Sequence, residues 1–464
     1  PNCNVRLYGQ EIMGQTYAIG LAEMLIKGQS ADNFKNADTF KEDCFKDKKM
    51  RFVLENPPFG QAWGGEKAKE GQEEAVRKEH AKGFNGRFGA GLPGTSDGQL
   101  LFVQAAVNKM DDEYGRAAII ENGSPLFSGG TSSGESQIRR WLLEQDLIEA
   151  IVQLPTNLFY NTGISTYIWI LSKNKREERK GKIQLIDASN IYTNLRKSLG
   201  NKRKEISPEN RKEITELYVN FEQSELSKIY KNTEFIYKEY TVMQPLQRSY
   251  SFSKERIENM INNGTLKTHY DENKVYELEN STEELKDKDK KTLKKFKDNK
   301  ITYDAILNTL KEYEDESLYN NPDDFKPIVK QLLAKINDAK IDNKLVDKIV
   351  DGLSEMDKDA DIQKDKKGNV IFDKLTKDTE IVPYDVAIED YMKTEVLPHV
   401  PDAKAFFEED LTKKKPVIKT GAEIPFTRYF YKYQEPQSSE ELAKKFIELE
   451  ESISSRIQKL FGGK

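Results

Sequence analysis

The chain has 464 residues, of which 37% are hydrophobic and 33% are charged, and its formal net charge is −5. This length predicts roughly two to four domains. The acidic balance excludes a polycation, so any nucleic-acid binding must come from a local basic face or from a partner. No uncharged apolar stretch approaches the roughly 18 residues of a membrane span. The N-terminus also lacks the basic and apolar regions of a signal peptide.

Cysteine and histidine are scarce. The two cysteines are Cys3 and Cys44, and the three histidines are His80, His269 and His399. These numbers argue against a disulfide framework and against a zinc site, so we expect no metal. They also indicate a reducing compartment, and we expect a cytoplasmic protein.

The first 190 residues alternate between strand-like and helix-like patterns. In chain order, the predicted elements are a strand at 5–8, a helix at 16–27 capped by Gly28, a strand at 51–55, a helix at 98–110, a strand at 116–120, a helix at 136–143, and strands at 147–153, 164–171 and 183–186. This alternation predicts an α/β fold with a mostly parallel sheet and helices on both faces. The turn Asn161-Thr162-Gly163 joins two late strands and predicts an antiparallel hairpin at one edge.

Two segments interrupt this pattern. Between Glu66 and Gly94 the periodicity is lost, and a loop of that length is usually either functional or disordered. A basic run follows the last predicted strand, and two interpretations of it stay open: a solvated surface, or contact with phosphate groups. Its basic residues are Arg196, Lys197, Lys202, Arg203, Lys204, Arg211 and Lys212.

The composition divides the chain into three predicted domains. Residues 1–250 hold the α/β pattern, residues 251–380 form a charged and mostly helical extension, and residues 381–464 end in an amphipathic helix. Ser438 and Glu441 have capping-box spacing at the start of that helix. Its apolar stripe either packs on its own domain or docks on a partner helix.

The strongest chemical signal is Asn56-Pro57-Pro58-Phe59, directly after the strand at 51–55. Asn56 precedes a proline and is held extended, and the carboxyl end of a strand is where open α/β sheets bind ligands. The loop offers two acceptors, the Asn56 amide oxygen and the Pro57 carbonyl, beside the ring of Phe59. This set fits a planar amino group whose two N–H donors are accepted. The alternative is a strand terminator with a packed phenylalanine.

Further stretches accompany this tetrapeptide. They are Leu7-Tyr8-Gly9-Gln10-Glu11, Ala37-Asp38-Thr39-Phe40, Gly86-Arg87-Phe88-Gly89, Ser96-Asp97-Gly98, residues 115–120, 154–155, 159–160, 162–164 and 396–402, and Glu423 to Tyr433. Together they resemble amino-methylating DNA methyltransferases, and more narrowly the modification subunit of type I restriction–modification systems. The resemblance covers residues 1–195 and 381–464 and is weak in between.

This resemblance implies a Rossmann-like class I methyltransferase fold, S-adenosylmethionine as cofactor and the N6 atom of a flipped adenine as methyl acceptor. Asn56 and Pro57 would bind the N6 amino group, and Phe59 would stack on the base. Asn56, Glu11 and Asp38 would be the cofactor-binding residues, with Glu11 at the ribose hydroxyls and Asp38 at the adenine amino group. The alternatives are a solvated helix-entry residue for Glu11 and a turn cap for Asp38.

One part of the family's pattern is missing. Its glycine-rich cofactor loop should precede Leu7 by about 20 residues or more, but only six residues precede Leu7 here. Gly89-Ala90-Gly91 is the nearest match, but it lies beyond Asn56. We therefore expect an N-terminally truncated chain that lacks the first strand, the cofactor loop and the family's helical N-terminal domain. Cofactor binding would then be impaired, and the strands at 5–8 and 51–55 would share no continuous sheet.

The resemblance also implies partners: double-stranded DNA, a specificity subunit that selects the sequence, a restriction subunit and a second copy of the modification subunit, without a membrane. We expect the terminal helix, residues 439–461, to dock on such a partner. Two other functions stay open. One is a protein-glutamine methyltransferase, although such enzymes are shorter and lack the stretch from Glu423 to Tyr433. The other is a non-catalytic scaffold. A cytosine-C5 enzyme is disfavoured, because neither Cys3 nor Cys44 follows a proline.

Overall fold

The computed structural model describes residues 5–160, 162–281, 285–336, 341–414, 416–433 and 438–461. Cys3 and Asn161 lie outside the described residues. The strands are β1 (Gly9–Glu11), β2 (Phe34–Asn36), β3 (Phe52–Glu55), β4 (Arg116–Asn122), β5 (Ile148–Gln153), β6 (Thr166–Ser172), β7 (Lys182–Asp187), β8 (Thr193–Leu199), β9 (Lys202–Glu205), β10 (Ser227–Lys231), β11 (Ile236–Met243), β12 (Arg248–Phe252), β13 (Asp315–Tyr319), β14 (Ser354–Met356), β15 (Asp378–Pro383), β16 (Lys404–Phe406) and β17 (Thr420–Ala422).

The helices are α1 (Gly14–Ile26), α2 (Gln72–His80), α3 (Gln99–Lys109), α4 (Ser124–Phe127), α5 (Gly134–Glu144), α6 (Pro208–Asn220), α7 (Lys254–Asn262), α8 (Glu272–Glu279), α9 (Asp287–Glu312), α10 (Pro322–Leu333), α11 (Asn343–Gly352), α12 (Ile388–Tyr391), α13 (Phe426–Phe430) and α14 (Ser439–Phe461). Across the described parts of the chain, every helix is too short or too polar to cross a membrane.

The chain divides into two compact units. Unit 1 comprises Pro1–Lys238, Pro383–Asp385 and Glu409–Lys464, and unit 2 comprises Glu239–Val382 and Val386–Glu408. These limits differ from the expected boundaries at residues 250 and 380, because two segments near the C-terminus return to unit 1. The functional domains expected from the sequence stay predictions.

A six-stranded sheet forms the centre of unit 1, in the order β10-β7-β5-β6-β4-β3. The strands β3, β4, β5 and β7 run in one direction, and β6 and β10 run in the other. The predicted α/β class with a mostly parallel sheet is therefore confirmed.

The antiparallel hairpin of β5 and β6 forms, but its second strand is not at an edge. β6 pairs with β5 on one side and with β4 on the other. The physical reason is its apolar content on both faces, typical of a central strand: Tyr167, Trp169 and Leu171 are buried on one face, and Ile168 and Ile170 pack against a second core cluster on the other.

The main core of unit 1 lies between this sheet and its helices. The crossover from β3 through α3 to β4 joins two parallel strands, as the pattern predicted. The core includes Val103, Ala106 and Val107 of α3, Met110 directly after it, Ile138, Leu142 and Leu143 of α5, and Ile119, Ile151, Trp169 and Leu185 of the sheet.

The N-terminal segment differs from its prediction. Residues 5–8 are not a strand, and Val5 and Leu7 are exposed. The strand is instead β1, which pairs in parallel with β2 in a separate two-stranded sheet. The outer edge of β3 has no strand partner among the described residues, and its Phe52 and Leu54 are 65% and 80% exposed.

Unit 2 has a core of its own. In it, β12 pairs with β13 and β14, and the helices α7, α9, α10 and α11 pack around Tyr250, Phe252 and Phe325. The predicted charged helical extension at 251–380 is therefore also partly a sheet with a buried interior. Its surface is charged while its apolar residues recur at helical spacing, so the overall composition concealed the core.

Candidate active site

The loop after β3 presents Asn56 to solvent. Asn56 and Pro58 are exposed, Pro57 is buried and Phe59 is half-buried. Because β3 pairs in parallel with β4, this loop lies at the carboxyl edge of the sheet. The Asn56 amide, which is expected to accept a hydrogen bond from an amino group, is therefore accessible, and the Phe59 ring is not enclosed in the interior. Pro57 anchors the turn between these two side chains.

Residues 56–59 form a corner after β3, and the chain that follows them returns to this corner. The carbonyl of Gln61 accepts the N–H of Gly98 at 2.8 Å, and the indole N–H of Trp63 donates to the carbonyl of Gly94 at 3.1 Å. Gly98 has no room for a side chain, since a Cβ atom would lie 2.7 Å from the ring of Phe40. The segment from Glu66 to Gly94, where the sequence shows no periodicity, is thus a closed loop that contains α2.

Arg87 ties this loop to the segment around Asp38. Its guanidinium donates to the carbonyls of Thr39 and Phe40. Phe88 and Phe40 are buried in one cluster with Trp63, Val76, Leu101 and Ala105. The structure therefore brings together two of the stretches that carry the family resemblance, although they are far apart in sequence.

Glu11 and Asp38 are neighbours through the backbone. The carbonyl of Glu11, the last residue of β1, accepts the N–H of Ala37 at 3.0 Å, and Ala37 precedes Asp38. The Glu11 Oε1 atom accepts the N–H of Met13 at 2.7 Å. Asp38 accepts the N–H of Phe40 at 2.9 Å and the Nε2 of Gln72 at 3.0 Å. Asp38 therefore acts as a turn cap here, and its remaining lone pairs can still accept a ligand donor.

Two buried carboxylates lie at the carboxyl ends of β3 and β4. Glu55 aligns with Ile119, so Glu121, two residues further on, points to the same face as Glu55. Glu121 is fully buried, and neither of its carboxylate oxygens has a hydrogen-bond partner in the described structure. Glu55 as a whole is half-buried, but its Oε2 atom is likewise shielded and unpartnered.

Burial changes the protonation of both groups. It raises the pKa of Glu55 to about 8. Burial, followed by the nearby charges of Glu55 and Asp97, raises the pKa of Glu121 well above its ordinary value. Burial therefore favours the protonated form of both side chains, directly behind the residue that carries the exposed amide.

Asp97 of the stretch Ser96-Asp97-Gly98 belongs to a hydrogen-bonded network at the end of β4. Its carboxylate accepts from Gln99 Nε2 at 2.8 Å and from the hydroxyl of Ser124 at 3.1 Å. Gln99 Oε1 accepts the N–H of Asn122 at 3.0 Å. The network fixes the start of α3 against the end of β4, the strand that pairs with β3 beside Asn56.

Sequence reasoning missed Glu55 and Glu121. The signal was present: each is a carboxylate at the end of an otherwise apolar strand, in Phe52 to Glu55 and in Ala117 to Glu121. It also missed the link between Arg87 and the carbonyls of Thr39 and Phe40, for which the sequence has no local signal. Glu11, Asp38, Asn56, Pro57 and Phe59 lie in unit 1, and their proposed roles stay predictions.

A family model and individual relatives of this chain both point to DNA methylases. The model of the N-6 DNA methylase family matches residues 2–256. The chain is 32% identical over 189 residues to the type I restriction enzyme HindI methylase subunit of Haemophilus influenzae, which covers 40% of this chain and 39% of that protein. It is also 32% identical over 224 residues to the MpnII methylase subunit of Mycoplasma pneumoniae, which covers 46% of this chain and 38% of that protein.

A solved structure shows the same kind of similarity. It is the methyltransferase subunit of a type I restriction-modification system from Streptococcus thermophilus, at 24% identity and a TM-score of 0.42, over 50% of this chain and 46% of that chain. The present chain thus spans less than half the length of these relatives. The family model nevertheless matches more than half of the chain, and it includes β1 to β12 with the whole corner at Asn56. The chain therefore belongs to the N-6 DNA methylase family.

Proposed function

We propose that this chain transfers a methyl group from S-adenosylmethionine to the N6 atom of an adenine in DNA, as the modification subunit of a type I restriction–modification complex. The observation that carries the proposal is the corner at the carboxyl end of β3. There, an exposed Asn56 amide and a half-buried Phe59 ring flank the buried Pro57. Family membership supports it, because this tetrapeptide lies within the matched residues 2–256.

The residues around β1 partly fit the cofactor. The Glu11 Oε2 atom has no hydrogen-bond partner within the described chain, and Glu11 is half-buried at the carboxyl end of its strand. A carboxylate with a free oxygen fits a pair of ribose hydroxyls. Asp38 would accept the adenine amino group with lone pairs that its turn leaves unused. The cofactor supplies a methyl group on a positively charged sulfur.

In the proposed reaction, Asn56 and Pro57 act on the target amine. The Asn56 amide oxygen and the Pro57 carbonyl accept its two hydrogens, which weakens conjugation of the nitrogen with the ring. The N6 lone pair then forms the bond to the methyl carbon as the carbon–sulfur bond breaks. The electrons of that bond stay on sulfur, and the surplus N6 proton goes to solvent. Phe59 stacks on the extruded base, so the residues contribute mainly by positioning.

The test is transfer of labelled methyl groups to adenine-containing duplex DNA by the full-length protein with its partner subunits. We expect Asn56→Ala to lower kcat about 100-fold or more, because one of two acceptors is lost. The matched control is Asn85→Ala, another exposed asparagine of unit 1. Equal rates for the parent and Asn56→Ala would refute the role of Asn56. Transfer to a glutamine peptide instead of DNA would establish the protein-glutamine alternative.

We further propose that α14 docks the chain on its specificity subunit. The helix begins where the Ser438 hydroxyl accepts the N–H of Glu441 at 3.2 Å, as the capping-box spacing predicted. Its apolar side chains recur every three or four residues and are about half or more exposed. They are Leu442, Phe446, Leu449, Ile453, Ile457 and Leu460. An uncovered stripe of this length is typical of a helix that pairs with another helix.

Co-purification tests this docking. Leu449→Lys together with Ile453→Lys should abolish co-purification with the specificity subunit, because two charges would enter an apolar interface. The control places the same charge on the helix elsewhere, as Ser452→Lys together with Ser455→Lys. If the stripe variant still co-purifies like the parent, docking through this stripe is wrong.

A further inference from the structure

The strands β8 and β9 form a basic hairpin, Thr193 to Glu205. They pair with each other and with no other strand of the described residues. The hairpin carries five basic residues and one acidic residue, in a chain whose net charge is −5. The basic residues are Arg196, Lys197, Lys202, Arg203 and Lys204, and the acidic one is Glu205.

Three of these charges have no ion-pair partner in the part of the chain that the structure describes. Arg196, Lys197 and Arg203 are exposed and make no ion pair with any described residue. The other two lie over aromatic rings: Lys202 Nζ is 5.0 Å from the ring centre of Tyr160, and Lys204 Nζ is 3.7 Å from that of Tyr192. Three unpaired cations on one short hairpin of an acidic protein fit an external polyanion better than solvent alone.

The hairpin is also fixed in position. The N–H groups of Arg203 and Lys204 donate to the carbonyl of Asn157 at 2.9 and 3.2 Å, and Asn201 N–H donates to the carbonyl of Tyr160 at 3.1 Å. Gly200 has a φ of 62°, and a Cβ atom there would lie 3.1 Å from the Tyr160 carbonyl. A preordered arm loses little conformational entropy when it binds, which favours a specific contact.

Its position relates it to the corner at Asn56. The hairpin follows β7, the loop of Asn157 follows β5, and Asn56 follows β3, all at the same carboxyl edge because these strands run in one direction. Four strand spacings separate β7 from β3, or roughly 19 Å. Duplex DNA carries about one negative charge per 1.7 Å of its axis, so a duplex along this edge can reach both features.

The tip of the hairpin adds an apolar element. Leu199 and the neighbouring Tyr160 are 49% and 58% exposed, and basic residues flank them. Proteins that open a duplex insert such side chains between bases while cations hold the phosphates. An acidic protein surface would use the cations but would gain less from this exposed pair. The observations therefore favour duplex DNA.

We propose that the hairpin of β8 and β9 holds the sugar–phosphate backbone of duplex DNA beside the adenine that Asn56 receives. This proposal rests on the proposed function, since it takes DNA as the substrate. It assigns the phosphate contacts to Arg196, Lys197 and Arg203. It also separates them from the corner, which acts on the base alone.

The test compares two triple variants of the full-length protein. Arg196→Ala, Lys197→Ala and Arg203→Ala are combined in one. The control combines Lys364→Ala, Lys366→Ala and Lys367→Ala, which removes the same charge from another exposed turn, in unit 2. Affinity for a fluorescent adenine-containing duplex is measured from 50 to 200 mM salt. Losing three phosphate contacts should reduce the slope of log affinity against log salt by about 3, and the control should keep the parent slope.

Photocrosslinking from a single position on the hairpin does not depend on whether the triple variant folds correctly. Ser198→Cys, exposed on the hairpin, is labelled with a photocrosslinker, and Lys366→Cys serves as its control. Crosslinks to the duplex from position 198 but not from position 366 support the proposal. An unchanged salt slope in the hairpin variant, or equal crosslinking from both positions, overturns the proposal.

Failure of this proposal can be told apart from failure of the proposed function. If the hairpin variant keeps both the salt slope and methyl transfer, the hairpin assignment falls and the methyltransferase stands. If the hairpin crosslinks to DNA and sets the slope while neither the parent nor any variant transfers a methyl group, the hairpin assignment stands and the proposed reaction falls.

Discussion

Replacing Glu55 by glutamine should change how the stability of unit 1 depends on pH. Glutamine keeps the size of the side chain but cannot ionise. Burial raises the pKa of Glu55 from an ordinary 4.5 to about 8, so the folded state holds this proton more firmly than the unfolded state. The stability from this group is complete below pH 4.5 and is lost as pH rises through about 8.

The size of the effect follows from the shift. One unit of pKa difference corresponds to about 1.4 kcal/mol, so ionising Glu55 between pH 5 and pH 8 should cost about 3 kcal/mol of unfolding free energy. Relative to the parent, Glu55→Gln should therefore gain about that much stability across this range. Glu121→Gln should act in the same direction, because burial is also the main cause of its raised pKa.

Urea unfolding followed by tryptophan fluorescence measures this difference. The three tryptophans, Trp63, Trp141 and Trp169, all lie in unit 1, so the signal reports on that unit. Glu66→Gln, at an exposed glutamate, is the control and should follow the parent at every pH. The reasoning fails if the gap between the parent and Glu55→Gln stays constant from pH 5 to pH 8, or if the variant loses stability relative to the parent as pH rises.

Three more outcomes are expected. Arg139→Ala should lower the unfolding free energy of unit 1 by about 3 kcal/mol or more in the same assay. The buried guanidinium of Arg139 donates to the carbonyls of Pro125, Ser128 and Ala422, and these carbonyls would lose their partner. A loss below about 1 kcal/mol would contradict this expectation. Gly86→Ala should lower the melting temperature by several degrees, and Gly130→Ala should not. A Cβ atom at Gly86 would lie 2.0 Å from the Glu79 carbonyl oxygen, whereas one at Gly130 meets nothing within 4 Å. Equal melting temperatures of the two variants would refute the close approach at Gly86. Glu11→Gln should weaken binding of S-adenosylmethionine at least about tenfold in calorimetry of the full-length protein without changing its melting temperature, and unchanged affinity would remove Glu11 from the cofactor site.

The sequence alone was sufficient for features that depend on neighbouring residues. It placed the strand before Asn56, because the run Phe52 to Glu55 ends at two prolines, which exclude further strand pairing. It placed α1 and α3 by the spacing of their apolar residues, and Gly28 as the cap of α1, where the structure gives it a φ of 68°. The stretches that resemble the family are likewise short and contiguous, so they could be recognised without coordinates.

Tertiary structure decided the features that depend on which distant segments meet. A strand's periodicity says that β6 is apolar on both faces, but not that β4 and β5 flank it. The exposure of Val5 and Leu7 cannot be read from their apolar character, and the raised pKa of Glu121 depended on the burial of both its oxygens. The sequence was equally consistent with a solvated loop at Arg196, Lys197 and Arg203. The hairpin of β8 and β9 places them at the carboxyl edge of the central sheet, where Asn56 also lies. In each case the deciding energy comes from pairing or desolvation between residues far apart in the chain, to which local sequence patterns are blind.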